Sequence, residues 1–162
     1  MTTQQARYDR RRILYATGVT LFTGTTLAGC LDEEDTDDEQ FVEDEPDYGD
    51  WFDDVDNYEG TVDLRGEDEV EVEVGAGDDG LLFEPPGILI DVGTTVVWEW
   101  TGEGGNHDVT TEEGPADLDS ELTGEAGFTY EFTFEEDHQG PTKYYCSPHI
   151  DLGMKGAVTV ED

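Results

Sequence analysis

The chain has 162 residues, enough for one domain of ordinary size, and its 43 Asp and Glu against 7 Lys and Arg give a formal net charge of −36. A surface this acidic repels phosphate backbones and anionic headgroups, which excludes nucleic-acid binding and charge-driven lipid binding. The acids are spread over the whole chain, and the Debye length is only about 3 Å at 1 M salt. The excess therefore indicates adaptation to high salt rather than steering toward a basic partner.

The first 29 residues have the features of an export signal. Asp9–Leu14 contains an arginine pair, one further residue and then two apolar residues, and it resembles a twin-arginine signal. Ile13–Gly29 is short and polar for a membrane span, which needs about 20 apolar residues. Leu27–Cys30 resembles a lipoprotein processing box. We therefore predict a twin-arginine-type lipoprotein signal segment over 1–29, with lipidation of Cys30; the alternative is an uncleaved anchor helix.

Residues 30–58 are rich in Asp and Glu and show little hydrophobic periodicity. Low hydrophobicity with high net charge predicts a disordered acidic linker, extended by its own repulsion. Trp51, Phe52 and Tyr58 are exceptions, which either dock on the edge of the next domain or have no structural role. The acids at 53–57 lack the spacing of an EF-hand loop, which favours solvated carboxylates over a calcium site.

Residues 59–162 contain a series of short strand patterns. Val70, Val72 and Val74 alternate with glutamates, as in a half-buried strand, and Trp98 and Trp100 continue a second alternation. Other apolar runs or alternations occur at 81–83, 88–90, 128–134, 143–146 and 156–160. With Gly and Pro turns between them and no convincing helix, these patterns predict an all-β antiparallel sandwich or barrel, with the Trp and Phe rows in its core.

A group of metal-binding residue types lies near the C-terminus. Cys146, His149 and Met154 fall within nine residues, and His107 is available from a separate upstream loop. A thiolate, two imidazoles and a weak axial thioether are the donors of a blue-copper electron-transfer site, whereas structural zinc sites rarely use a thioether. We predict one copper ion (Cu⁺/Cu²⁺) bound by these four residues. His138, in an acidic turn, is expected to be a surface histidine.

The same stretch carries a family resemblance. Cys-Ser-Pro-His at 146–149, Gly-Met-x-Gly at 153–156 and Ala-Val-Thr-Val at 157–160 resemble the plastocyanin-like blue-copper proteins. Within that group the chain is most similar to the halocyanins, small acidic proteins of halophilic archaea. The resemblance covers residues 59–162. It implies a cupredoxin-like Greek-key β-sandwich and a one-electron carrier rather than an enzyme.

One position departs from the family pattern. Relatives commonly have Asn directly after the first histidine ligand, and its side chain bonds to the serine after the cysteine, here Ser147. This chain has Asp108 at that position. Asp108 can still accept a hydrogen bond from the Ser147 hydroxyl or from a backbone N–H. If it is ionised, its charge favours Cu(II), so the resemblance and the charge together predict that Asp108→Asn raises the reduction potential.

Four protein donors leave a metal no open position for substrate, and the chain has no second His-x-His cluster. We expect a monomeric carrier on the outer face of the cell membrane, held there by lipidated Cys30. It would shuttle electrons between redox proteins of the respiratory chain through a small transient docking surface near His149. Because Cys30 and Cys146 have separate roles, we expect no disulfide between them. Two alternatives stay open: a copper-binding or copper-delivery lipoprotein, and a metal-free surface β-sandwich lipoprotein.

Overall fold

The computed structural model describes residues 40–162, and the predicted signal segment, lipidated Cys30 and first part of the acidic linker lie outside them. Within this range the chain forms nine strands. In chain order they are β1 Val62–Asp63, β2 Glu69–Ala76, β3 Leu82–Glu84, β4 Gly87–Asp91, β5 Thr95–Trp100, β6 Thr110–Glu113, β7 Thr129–Thr133, β8 Gly140–Tyr145 and β9 Lys155–Glu161.

The strands form two sheets. One has five strands in the order β1-β4-β9-β8-β6, and the other has four in the order β3-β2-β5-β7. The prediction of an all-β, cupredoxin-like Greek-key sandwich is confirmed. The expectation of a purely antiparallel arrangement is wrong, because β1–β4, β4–β9 and β2–β5 pair in parallel. Parallel neighbours need a crossover connection, and here the intervening chain crosses to the other sheet.

The core lies between the sheets and is built from the predicted alternations. Val72, Val74, Trp98 and Trp100 are buried, as the period of two along each strand requires. The ring of Tyr144, on β8, packs edge-on against Trp98 at a centroid distance of 5.5 Å. Burying such large side chains contributes about 1.5 to 3 kcal/mol each before entropy is counted. The strand that leads to Cys146 is therefore anchored in the core by Tyr144.

Part of the predicted linker is folded. Residues 40–58 were expected to be disordered, but Tyr48, Phe52 and Val55 are buried, with relative exposures of 5%, 9% and 7%. The Tyr48 hydroxyl is 2.8 Å from the Thr159 hydroxyl on the outer side of β9. The prediction was wrong here because a few well-spaced apolar side chains can cover a sheet face while the acids between them stay in water. We call residues 48–58 the docked segment.

Helical structure in residues 40–162 is limited to two 3-10 turns, Glu136–His138 and Ile150–Leu152. Over this described range, no helix combines the length and apolar character needed to cross a lipid bilayer.

Candidate metal site

His107 lies in the loop after β5, and its backbone is held on two sides. Its N–H donates to the Thr123 carbonyl at 2.9 Å, and its carbonyl accepts from the Thr123 N–H at 3.0 Å and the Trp100 indole N–H at 3.2 Å. The ring is fully buried, with Nε2 2.8 Å from the Glu103 carbonyl oxygen. A neutral imidazole that donates from Nε2 presents its lone pair on Nδ1. Nδ1 is therefore the donor atom available to a metal.

The Glu103 carbonyl is itself held in place by the end of β2. The Thr101 hydroxyl donates to the Gly75 carbonyl at 2.6 Å and accepts from the Glu103 N–H at 3.2 Å. Gly75 has a φ of +84°, and a Cβ there would lie 2.8 Å from the Glu103 oxygen and 3.3 Å from His107 Nε2. Only glycine allows this close approach. These supports of His107 act through the backbone, so sequence reasoning missed them.

The other three predicted ligands come from one short loop that is closed by its own backbone. The Cys146 N–H donates to the Met154 carbonyl at 3.1 Å, and the Cys146 carbonyl accepts the His149 N–H at 3.0 Å. The Met154 N–H reaches the His149 carbonyl at 3.3 Å. Gly153, with a φ of +82°, turns the chain inward before β9.

Three donor atoms converge in this region. His107 Nδ1 is 3.6 Å from the Cys146 sulfur, His149 Nδ1 is 3.4 Å from that sulfur, and the two Nδ1 atoms are 3.2 Å apart. Donors held about 2.0 to 2.3 Å from one ion, at angles between tetrahedral and trigonal, lie about 3.3 to 4.0 Å from each other, and all three observed separations fall within about 0.1 Å of that range. The spacing therefore fits a single metal ion. No other group of three His, Cys, Asp or Glu side chains with such spacing occurs in residues 40–162.

The surroundings set the protonation of these donors. Burial raises the pKa of the Cys146 thiol to about 12, although hydrogen bonds from the backbone N–H groups of Asp108 and His149 oppose that rise. Burial also lowers the pKa of His107. At neutral pH the metal-free site therefore holds a protonated, unpaired thiol and a neutral imidazole. A cation that binds here must displace the thiol proton, which a thiophilic metal ion does.

Met154 completes the predicted donor set. It is fully buried, in the same core cluster as Cys146, and directly precedes β9. A thioether is a soft, weak donor, and a soft thiolate, two imidazoles and a thioether are the set that suits copper. When it is bound, copper supplies a one-electron couple between Cu(I) and Cu(II), while the protein supplies fixed donors.

Asp108 and Ser147 link the two ligand-bearing loops. The Ser147 backbone N–H donates to Asp108 Oδ1 at 2.6 Å, which is one of the two bonds expected from the sequence. The Thr110 hydroxyl lies 3.5 Å from Oδ2, at the limit of a hydrogen bond. Asp108 is only 9% exposed. Its carboxylate therefore holds the His107 loop against the Cys146 loop at the edge of the site.

His138 is not part of the site. It ends the 3-10 turn that precedes β8, whereas Cys146 follows the other end of that strand. Its Nδ1 accepts the Glu135 N–H at 3.0 Å, and its ring packs against Phe132 at a centroid distance of 5.1 Å. With a side chain only 19% exposed, it is less of a surface histidine than expected. Its role is to cap a turn.

Comparisons with known proteins agree with this site. Residues 70–161 match the model of the family described as copper binding proteins, plastocyanin/azurin family. The chain is 44% identical to a halocyanin of Natronomonas pharaonis, over 94% of this chain and 98% of the halocyanin. It is 36% identical to plastocyanin A/B of Petroselinum crispum, over 56% of this chain and 98% of that protein. A copper(I) structure of an amicyanin variant aligns with a TM-score of 0.47 and 28% identity, over 59% of this chain and 84% of that one.

The fold and the donor set define a cupredoxin, a β-sandwich with a blue-copper site. The family match covers more than half of the chain and includes His107, Cys146, His149 and Met154. The chain belongs to the plastocyanin/azurin family of copper-binding proteins. It is an electron carrier with one copper as its cofactor, and the alternative of a metal-free surface protein is wrong.

Proposed function

We propose that the protein shuttles single electrons between membrane redox complexes on the outer face of the cytoplasmic membrane, tethered there through lipidated Cys30, and that it is not an enzyme. The observation that carries the proposal is the combination of a closed site with one accessible edge. His107, Cys146 and Met154 are fully buried, while His149 is only half-buried. Electrons can reach the metal through the His149 ring, but a substrate has no open coordination position.

The surface around His149 supports transient docking. Pro148 is exposed, Ile150 is half-buried, and Leu152, three residues after His149, is 62% exposed. The Leu152 N–H donates to the His149 carbonyl at 2.9 Å, so this apolar side chain is fixed to the ligand loop. A small set of exposed apolar side chains next to the exposed Asp151 suits a short-lived complex, in which electron transfer needs contact but not tight binding.

The test measures electron exchange between the copper-loaded protein and cytoplasmic membrane vesicles of the source cell, by following the blue absorbance after mixing. Leu152→Asp should slow the exchange by about tenfold or more, because it places a charge in the contact surface. The reduction potential should not change. Gln40→Asp, which adds the same charge at an exposed position beside β1, is the control. Equal exchange rates for the two variants would contradict docking near His149.

The tether is tested separately. The wild-type protein should incorporate a labelled lipid precursor, and Cys30→Ser should not. Both results follow from lipidation at the cysteine of the processing box, and two lipid chains are what a stable anchor needs. A wild-type protein that takes up no labelled lipid and keeps residues 1–29 would favour the uncleaved anchor helix.

Copper delivery is the second candidate, and the burial of the site argues against it. A delivery protein must release its ion to a partner, whereas Cys146 and Met154 are both fully buried. We expect bound Cu(I) to be lost to an external chelator far more slowly than electrons are exchanged. Loss of the ion at the rate of electron exchange would favour delivery.

A further inference from the structure

The docked segment contacts the loop that carries Met154 from the outside. The Trp51 indole N–H donates to the Gly156 carbonyl at 3.0 Å. Lys155 forms an ion pair with Asp54 at 2.5 Å, and its ammonium group lies 5.0 Å from the centre of the Trp51 ring. These three contacts converge on the two residues that directly follow Met154. They tie the beginning of β9 to a part of the chain about 100 residues earlier.

The docked segment also contacts the residue before Met154. A Cβ added to Gly153 would overlap with the carbonyl oxygen of Asp54, so the two backbones are already in van der Waals contact. The Met154 N–H has only the long 3.3 Å bond to the His149 carbonyl, while the Met154 carbonyl accepts the Cys146 N–H at 3.1 Å. Met154 is thus held by two backbone bonds within its own loop and, through both of its chain neighbours, by the docked segment.

We propose that the docked segment is a positioning element for the copper site, in which Trp51 and Asp54 hold Gly153–Gly156 and thereby set how closely the Met154 thioether approaches the metal. The axial thioether bond in such sites is long and weak, so the protein rather than the bond determines its length, and the axial ligand tunes the reduction potential. Neither residue touches the metal. Both lie outside residues 70–161, the part of the chain that matches the family.

This inference rests on the copper site and not on the proposed shuttle between membrane complexes. Its test uses the full chain with Trp51→Phe, Asp54→Ala and the double variant. Phe keeps an aromatic ring but removes the indole donor. The Asp54 side chain is 52% exposed, so its truncation leaves the core intact. The control is Asp63→Ala, which removes another surface ion pair, that with Arg65, away from the ligand loop.

Two properties are measured. In the metal-free protein, amide hydrogen exchange at Met154 should become about tenfold faster in the double variant, and exchange at Val72 in the core should not change. In the copper-loaded protein, the reduction potential and the Cu(II) spectrum should both shift. Asp54→Glu, which keeps the carboxylate, should stay close to wild type, and Asp63→Ala should change none of these values.

A docked segment that only stabilises the fold would lower the melting temperature and leave the potential and spectrum unchanged. An unchanged potential in the double variant therefore overturns the proposal, whatever happens to the melting temperature or the exchange rate. If the double variant does not fold, the reduction potential of Trp51→Phe decides in the same way. All readouts use the isolated protein, so a failure of electron exchange with membranes would leave this test unaffected.

Discussion

The charge on Asp108 should lower the reduction potential of this copper site, and Asp108→Asn isolates that effect. The side chain accepts the Ser147 N–H through Oδ1 at 2.6 Å and is only 9% exposed. The amide oxygen of Asn is an equally placed acceptor, so the contact between the two ligand loops is kept. The substitution therefore removes one negative charge and changes little else.

The size of the effect follows from Coulomb's law. Asp108 directly follows one ligand and hydrogen-bonds to the residue after another, so we take a charge separation of about 7 Å from a bound copper ion for the calculation. At that distance and an effective dielectric constant of about 20, one unit charge contributes about 2 kcal/mol. For one electron this equals about 100 mV. Screening by solvent and salt reduces the expected increase to roughly 30 to 100 mV.

The assay is voltammetry of both copper-loaded proteins at one fixed salt concentration. Asp137→Asn is the control, because its side chain is 81% exposed and lies before β8, at the end opposite Cys146. It makes the same change in net charge and should move the potential by much less. A potential that stays constant or falls in Asp108→Asn would refute the reasoning. So would an equal increase in the control, since the effect would then belong to net charge alone.

Three further results are expected. Gly153→Ala should lower the free energy of unfolding by about 1 to 3 kcal/mol more than Gly49→Ala in denaturant titrations; both glycines have positive φ, but only Gly153 abuts Asp54. Burial tends to raise the pKa of Glu45, but hydrogen bonds from Thr61 and a tyrosine lower it below its ordinary 4.5. The contribution of Glu45 to stability is therefore complete above pH 4.5 and is lost as the pH falls through the lower folded pKa. When the free energy of unfolding is measured against pH, Glu45→Gln should lack this part of the loss of stability in acid. Finally, the melting temperature should rise with added KCl, because screening reduces repulsion among charges that sum to −36; a melting temperature independent of KCl would contradict self-repulsion.

The strands that carry an apolar alternation or an apolar run were predictable from the sequence, and β6, which carries neither, was missed. Val70–Val74 and Val96–Trp100 bury every second side chain, which is the pattern that identified them. β6, with the sequence Thr-Thr-Glu-Glu, lies at a sheet edge and has no buried residue, so it carries no hydrophobic signal. Parallel pairing was missed for a related reason, because the period of two is the same for either strand direction.

The docked segment shows where composition misleads. The high density of charge over residues 30–58 was the stronger sequence signal, and it predicted a disordered linker. In the structure, however, Ala157 on the outer side of β9 is covered by Tyr48, Phe52 and Val55. Which face of a strand is covered by another segment depends on how the strands are arranged in the two sheets, and a short stretch of sequence does not contain that information. Within this acidic stretch, Trp51, Phe52 and Tyr58 were the residues that indicated docking.

The position of the site between the two sheets explains why few atoms need to move with the electron. His107 follows β5 of the four-stranded sheet, and Cys146 follows β8 of the five-stranded sheet. The backbone of His107 is fixed by Thr123, the other ligands are fixed by hydrogen bonds within their own loop, and the Asp108–Ser147 bond joins the two ligand-bearing loops. Donors that are held in place by two packed sheets could neither collapse to suit Cu(I) nor spread to suit Cu(II), so a bound copper ion would keep nearly the same surroundings in both oxidation states. Sandwich packing would therefore favour fast electron transfer as much as the ligands themselves.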